Sequence, residues 1–173
     1  MSGALVPSRI REERIERLID LYEDRLLRMC FLYLHDRTLA EDAVQETFFK
    51  AYNALSKFRG ESSEETWLMR IAINTCKDIR RGAWFRHVDR TVVLEKLPEP
   101  VYQQNHQDDS LILEIMRLPE KLKIIVLLYY YQDIPVEEIC KIISVSPSSV
   151  YNRLKEAKKI LRERLKGRSF DEE

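Results

Sequence analysis

The chain is 173 residues long and carries 29 basic and 29 acidic side chains, so its net charge of zero excludes a uniformly basic polyanion binder. Four glycines and six prolines, against 34% charged residues, exclude low-complexity and glycine-rich nucleotide-cradle designs and point to an all-α protein. Three scattered cysteines, with no signal peptide and no apolar run long enough for a bilayer, predict buried free thiols in a cytoplasmic protein without membrane insertion.

The distribution of charge is uneven. Residues 147–168 hold eight Lys or Arg against two Glu, and residues 70–90 hold six against two Asp, whereas the first 48 residues hold ten acids and seven bases. Two basic segments in a neutral chain predict two sites for a polyanion.

In chain order, Ile15, Leu18, Ile19, Tyr22, Leu26, Met29, Cys30 and Tyr33 follow helical spacing from about residue 10 to 34. Thr38 to Glu41 fits a capping box, with Thr38 as N-cap and Glu41 reaching back. The helix it opens, to about residue 56, buries Ala40, Ala43, Val44, Phe48, Ala51 and Leu55 and turns Asp42, Gln45, Glu46, Phe49 and Lys50 outward. An aromatic among carboxylates suits a protein-docking surface; a solvated face with a partly buried Phe is the alternative. Asp42 and Glu46 make no metal site, because the chain has no Glu-x-x-His and its three histidines lack a second ligand at helical spacing.

Phe58 to Glu61 reads as a loop, and Ser62 to Glu65 as a second capping box that opens a helix to about residue 81. Leu68, Ile71, Ala72, Thr75 and Ile79 form its inner stripe, with Trp67 in core or edge packing and stacking on a base as the lesser alternative. Arg70, Asn74, Lys77 and Arg81, at i, i+4, i+7 and i+11, form a separate ridge. Cations hold phosphates while an amide can pair with a base edge, so the ridge suits nucleic acid; a solvated basic ridge is the alternative. Periodicity fails between residue 82 and about 107, which reads as a linker between two domains, with a helical turn near residues 92–97. His87 and His106 are assigned no chemistry.

Helical patterning resumes from residue 109 to 118, and Leu118-Pro119 separates it from a hydrophobic helix over residues 120–131. The Tyr triplet 129–131 must cover more than one face of that helix, so at least one ring is exposed. Residues 133–165 then organise the rest. Pro135 suits a first helical turn, and Val136, Ile139, Cys140 and Ile143 make one apolar stripe. Ser144 to Ser146 is a turn, with Ser146 as N-cap and Pro147 at the first helical position. Val150, Leu154, Ala157, Leu161 and Leu165 face inward, while Ser148, Asn152, Lys155 and Lys159 face the opposite way. This is a helix-turn-helix suited to a DNA major groove, with an ordinary αα-hairpin as the alternative. The chain has no Gly-x-Ser-x-Gly, Cys-x-x-Cys or His-Glu-x-x-His, and it is expected not to be an enzyme and to need no cofactor.

Several stretches together carry a family resemblance: Asp42 with Ala43-Val44-Gln45-Glu46-Thr47-Phe48, Phe58-Arg59-Gly60, Thr66-Trp67-Leu68, and Ile71-Ala72-Ile73-Asn74 with Asp78 and Arg80-Arg81. Leu118-Pro119, Ser149-Val150, Arg153-Leu154 and Ala157 follow in the same order. From about Ile15 to Leu165 the chain resembles a bacterial extracytoplasmic-function (ECF) sigma factor holding only regions two and four. The resemblance implies a region 2 helical bundle over residues 10–84, a flexible linker over 85–107 and a region 4 helix-turn-helix over 108–167. It implies that Asp42, Gln45, Glu46 and Phe49 dock on the β′ clamp helices of core RNA polymerase, whose β flap is the second contact. Phe58, Arg59, Gly60, Ser62, Arg70, Asn74, Lys77, Arg80 and Arg81 would read the minus-ten promoter element and capture a flipped base. Ser148, Ser149, Tyr151, Asn152, Arg153, Lys155, Lys158 and Lys159 would read the minus-thirty-five element. The family commonly has a cation where this chain has Tyr151, so base preference is expected to differ there. Such proteins are commonly held by an anti-sigma factor. A stand-alone helix-turn-helix regulator is the rival reading, and a protein-only adaptor would leave both basic helices unexplained.

Overall fold

The computed structural model describes residues 8–82 and 106–168, which are helical with no strand among them. The elements are α1 (Ser8–Leu34), α2 (Arg37–Ala54), a 3-10 turn (Leu55–Lys57) and α3 (Glu64–Arg81), then α4 (His106–Met116) and α5 (Glu120–Val126). α5 runs into a wide π turn (Leu127–Tyr131), followed by α6 (Val136–Ile143) and α7 (Pro147–Arg168). The helical turn expected near residues 92–97, His87 and all but the last two residues of the 85–107 linker lie outside the described residues. No described helix is long and apolar enough to cross a membrane.

The first three helices form one bundle because each places an apolar stripe against the other two. Leu18, Leu26, Met29, Leu68, Met69 and Ile73 are completely buried there. In the second unit α7 lies across α4, α5 and α6, with Val150 and Ala157 fully buried and Leu154 nearly so. Apolar packing does not stop at the boundary between units: α3 packs on α6, and one continuous cluster contains Leu26, Leu68, Met116, Ile125 and Ile139.

Helix starts depart from the sequence expectations in a consistent way. Asp36, not Thr38, caps α2, accepting from the Leu39 N–H at 2.9 Å. Glu41 does not reach back; it pairs with Arg37 at 2.9 Å. Ser63, not Ser62, caps α3, accepting from the Thr66 N–H at 3.0 Å. The glutamate side of that box is drawn to α1 instead, where Glu64 meets Arg14 at 2.6 Å and Arg17 at 2.5 Å, and Glu65 meets Arg25 at 2.7 Å. A charged partner outcompetes a neutral backbone N–H for a carboxylate. Pro135 sits one residue before α6, at its cap, and α4 begins at His106, three residues ahead of the expected start at 109.

The helix-turn-helix has the expected turn. Ser144 adopts left-handed backbone geometry (φ 56°), which reverses the chain after α6, and Ser146 Oγ accepts from the Ser149 N–H at 3.3 Å to open α7. Of the Tyr triplet, Tyr130 is the exposed ring, at 45%.

Candidate nucleic-acid interface

On α2, Asp42, Gln45, Glu46 and Phe49 are all exposed on one face, Phe49 at 63%, while neighbouring Phe48 is in the core. Lys50 bridges this face to α3: its Nζ lies 3.4 Å from Glu46 and donates to Thr75 Oγ1 at 3.2 Å. The result is an acidic face with a large uncovered ring.

Beyond α2 the chain folds into a cleft of about 350 Å³ lined by Lys57, Phe58, Arg59, Glu61, Ser62, Trp67 and Arg70. Its aromatic wall is Phe58 against Trp67, ring centroids 4.9 Å apart and tilted by 37°. The Arg14 guanidinium covers Phe58 from α1, 5.4 Å from its centroid. Gly60 turns the loop with φ 73°, a conformation that a β-carbon disfavours. Arg70 Nε is buried here without a hydrogen-bond partner. Flat rings beside cations suit an unstacked base with its phosphate. Trp67 is half-buried at the edge of the core, as expected, and its ring also forms a wall of this cleft.

Along α3, Asn74 is exposed next to buried Ile73 and Thr75, so its amide projects without a role in the core. Lys77, Arg80 and Arg81 continue toward the second unit and line a cleft of about 390 Å³ with Glu120, Lys121, Ile124, Ile143 and Arg153. The structure thus brings Arg153 of α7 beside the α3 cations and away from the exposed run it shares in sequence. Arg80 lies 3.3 Å from Glu120 and stacks over Tyr33, 5.3 Å from the ring centroid. Tyr33 donates its hydroxyl to the same Glu120. Burial, then this bond to a carboxylate, hold the Tyr33 phenol well above its usual range, so it donates as the neutral group.

On α7, Ser148, Tyr151, Asn152, Lys155, Lys158 and Lys159 are exposed, Tyr151 at 57%, while Ser149 is half-buried and occupied in the cap. Asn152, Lys155, Lys158 and Lys159 share one surface with Glu156, Arg162 and Glu163. Lys158 lies over the Tyr130 ring at 5.5 Å. This outer face presents four cations and an amide from one rigid helix, the arrangement a major-groove reader requires.

Periodicity marked the outward faces of α2, α3 and α7, whereas the loop over residues 58–62 entered only through the family resemblance, and no local pattern marked the contacts between units. Tyr33 reads only as a core residue, and Glu120 carries no pattern that marks it as a partner for residues 40 and 87 positions earlier.

Residues 18–86 match the family model for sigma-70 region 2, and residues 108–161 that for sigma-70 region 4. The chain is 30% identical to the RNA polymerase sigma factor YlaC of Bacillus subtilis, over 84% of this chain and 88% of that protein. It is 26% identical to the ECF RNA polymerase sigma factor SigW of the same organism, over 86% and 87%. Its fold resembles the sigma factor RpoE of Bartonella quintana, solved in complex with the anti-sigma factor NepR, with a TM-score of 0.73, 19% identity and coverage of 89% and 98%. The chain belongs to the sigma-70 family of RNA polymerase sigma factors, within its extracytoplasmic-function group.

Proposed function

We propose that this sigma factor divides promoter recognition between its two units and docks on polymerase through α2. Residues 10–84 form the docking and strand-opening unit, residues 108–167 the upstream anchor, and 85–107 join them. Asp42, Gln45, Glu46 and Phe49 bind the β′ clamp helices of core polymerase, and residues 108–167 meet the β flap. The cleft of Phe58, Arg59, Gly60, Ser62 and Arg70 takes an unstacked minus-ten base, and Asn74, Lys77, Arg80 and Arg81 hold the adjoining strand. Ser148, Ser149, Tyr151, Asn152, Arg153, Lys155, Lys158 and Lys159 set register on the minus-thirty-five element. An anti-sigma factor, the kind of partner named for the Bartonella relative, holds the chain inactive.

The observation that carries this reading is the pairing of an aromatic-walled cationic cleft with an exposed Asn74 on one side and a separate basic helix on the other. A stand-alone regulator has no use for the first of these or for the acidic Phe49 face. Opening several base pairs costs on the order of 5–10 kcal/mol at about 1.4 kcal/mol per stacked step. Two small cationic faces on a neutral chain do not supply that alone, so strand opening belongs to the complex with core polymerase.

The test is run-off transcription with purified chain, sigma-free core polymerase and candidate promoters. Promoter-dependent transcripts are expected. Failure to bind core, together with no transcript from any promoter, overturns the reading.

A further inference from the structure

Two carboxylates stand among the cations on the outer face of α7, and only one of them is neutralised. Glu163 has Lys159 at 4.0 Å. Glu156 is exposed on the surface it shares with Asn152, Lys155, Lys158, Lys159 and Arg162, yet it has no ion-pair or hydrogen-bond partner among the described residues. The Asn152 amide has none either. Leu154 and Ala157 are buried, so the helix turns both of these side chains away from the core. At about 100° per residue, Glu156 lies roughly 40° round the helix from Asn152 and one turn further along. The two form one row.

We propose that Glu156 is a specificity-determining residue, whose carboxylate accepts a hydrogen bond from the N4 amino group of one cytosine in the major groove of the minus-thirty-five element. The proposal rests on the reading of α7 as the upstream anchor. Phosphate oxygens repel a carboxylate, so beside a polyanion it is favourable only where a base edge offers a donor. Cytosine offers N4–H alone in the major groove, guanine and thymine offer acceptors, and adenine sets an N6 donor beside the N7 acceptor. An amide, which both donates and accepts, matches adenine; a carboxylate, which only accepts, matches cytosine. Asn152 and Glu156 supply one of each. Four residues of helix rise about 6 Å, against about 3.4 Å per base step, so the two side chains reach bases about two steps apart. Lys155, Lys158, Lys159 and Arg162 flank the row and hold phosphates, which gives affinity without sequence. Glu156 then lowers affinity for every site that lacks the cytosine, and a repulsive group of this kind sharpens selection.

The experiment uses the full chain with sigma-free core polymerase on a promoter library randomised across both elements, with several spacer lengths. Each template carries a transcribed barcode, so sequencing the run-off transcripts gives the base preference at every position. Wild type is compared with Glu156→Gln, Glu156→Arg and Asn152→Ala, and thermal melts confirm that each is folded. Wild type should favour cytosine at one position of the minus-thirty-five element by roughly five- to a hundredfold. Glu156→Gln should lose that preference in favour of adenine, and Glu156→Arg should move it to guanine, with other positions unchanged. Asn152→Ala should instead relax an adenine preference about two steps away. A cytosine preference that survives Glu156→Gln, or none in wild type, overturns the proposal. So does a gain spread evenly over all sequences in Glu156→Gln, because the carboxylate would then only repel phosphate. If wild type transcribes no template at all, the sigma reading fails and the proposal with it, so the two failures are told apart.

Discussion

Arg164 Nη1 of α7 lies 3.3 Å from Glu114 Oε2 of α4, while Arg117 holds the other carboxylate oxygen at 2.8 Å. The Glu114 side chain is 4% exposed, and both guanidiniums reach it from half-exposed positions. A buried carboxylate left with fewer donors bears a desolvation cost that a surface pair does not. Arg164→Ala is therefore expected to destabilise the chain by roughly 1–3 kcal/mol, the cost of a buried charged acceptor losing a partner. Urea denaturation checks it, and a loss within the surface-substitution range of about 0.5 kcal/mol would contradict the clamp.

The helices and their buried stripes were legible in the sequence because periodicity is a local signal. Val150, Leu154 and Ala157 are buried and Asn152, Lys155 and Lys159 exposed, as spacing alone requires. The two capping boxes were misplaced for a reason that spacing cannot carry. Glu64 and Glu65 have cationic partners on α1, 40 to 50 residues away in sequence, and Ser63 is left to cap α3 alone. The contact of Glu120 with Tyr33 and Arg80 was invisible for the same reason. Its members lie on helices whose apposition depends on the whole apolar core, not on any one stretch.

The thiols should differ sharply in reactivity. Cys76 donates to Cys30 at 3.4 Å between α3 and α1, and both are fully buried, whereas Cys140 is half-buried on α6. The contact with Cys76 and burial push the Cys30 thiol well up, which depletes its thiolate. With a soluble maleimide, mass spectrometry of the native chain should show one fast label, at Cys140, and three labels only after denaturation. Early labelling of Cys30 would contradict the packing of α1 on α3.

Acid should loosen α1 from α3 through Glu64. Burial opposes ionisation of this carboxyl, but hydrogen bonds from Arg17 and Arg14 outweigh it and hold its pKa below the ordinary 4.5. A folded pKa below the unfolded one gives stability that is present above 4.5 and is lost as pH falls through the folded value. Glu64→Gln should thus lower stability at neutral pH and flatten its fall in acid. Chemical denaturation at neutral and acidic pH measures both, and identical pH profiles for the two chains would remove Glu64 from the linkage.

The α2 face gives a test of docking that leaves the fold alone. Glu46 is exposed and its ion pair to Lys50 is a surface contact, so Glu46→Lys should change stability by no more than about 1 kcal/mol. Reversing a charge in a complementary interface slows association and weakens binding, here by on the order of tenfold. Competition against wild-type chain for core polymerase reads this directly. Unchanged affinity would place the docking surface elsewhere.

Asn74 separates strand reading from docking. It stands exposed on α3 between buried Ile73 and Thr75, so Asn74→Ala removes an amide without opening a cavity, and melting should be nearly unchanged. A base-edge contact is worth about 1–3 kcal/mol, so promoter opening should fall roughly five- to hundredfold while core affinity stays at the wild-type value. Permanganate footprinting of the opened strand, beside a core-binding titration, resolves the two effects. Equal loss of both would make Asn74 a structural residue, whereas a Lys77→Ala control should weaken opening and also its dependence on salt, because a phosphate contact carries counterion release and a base contact does not.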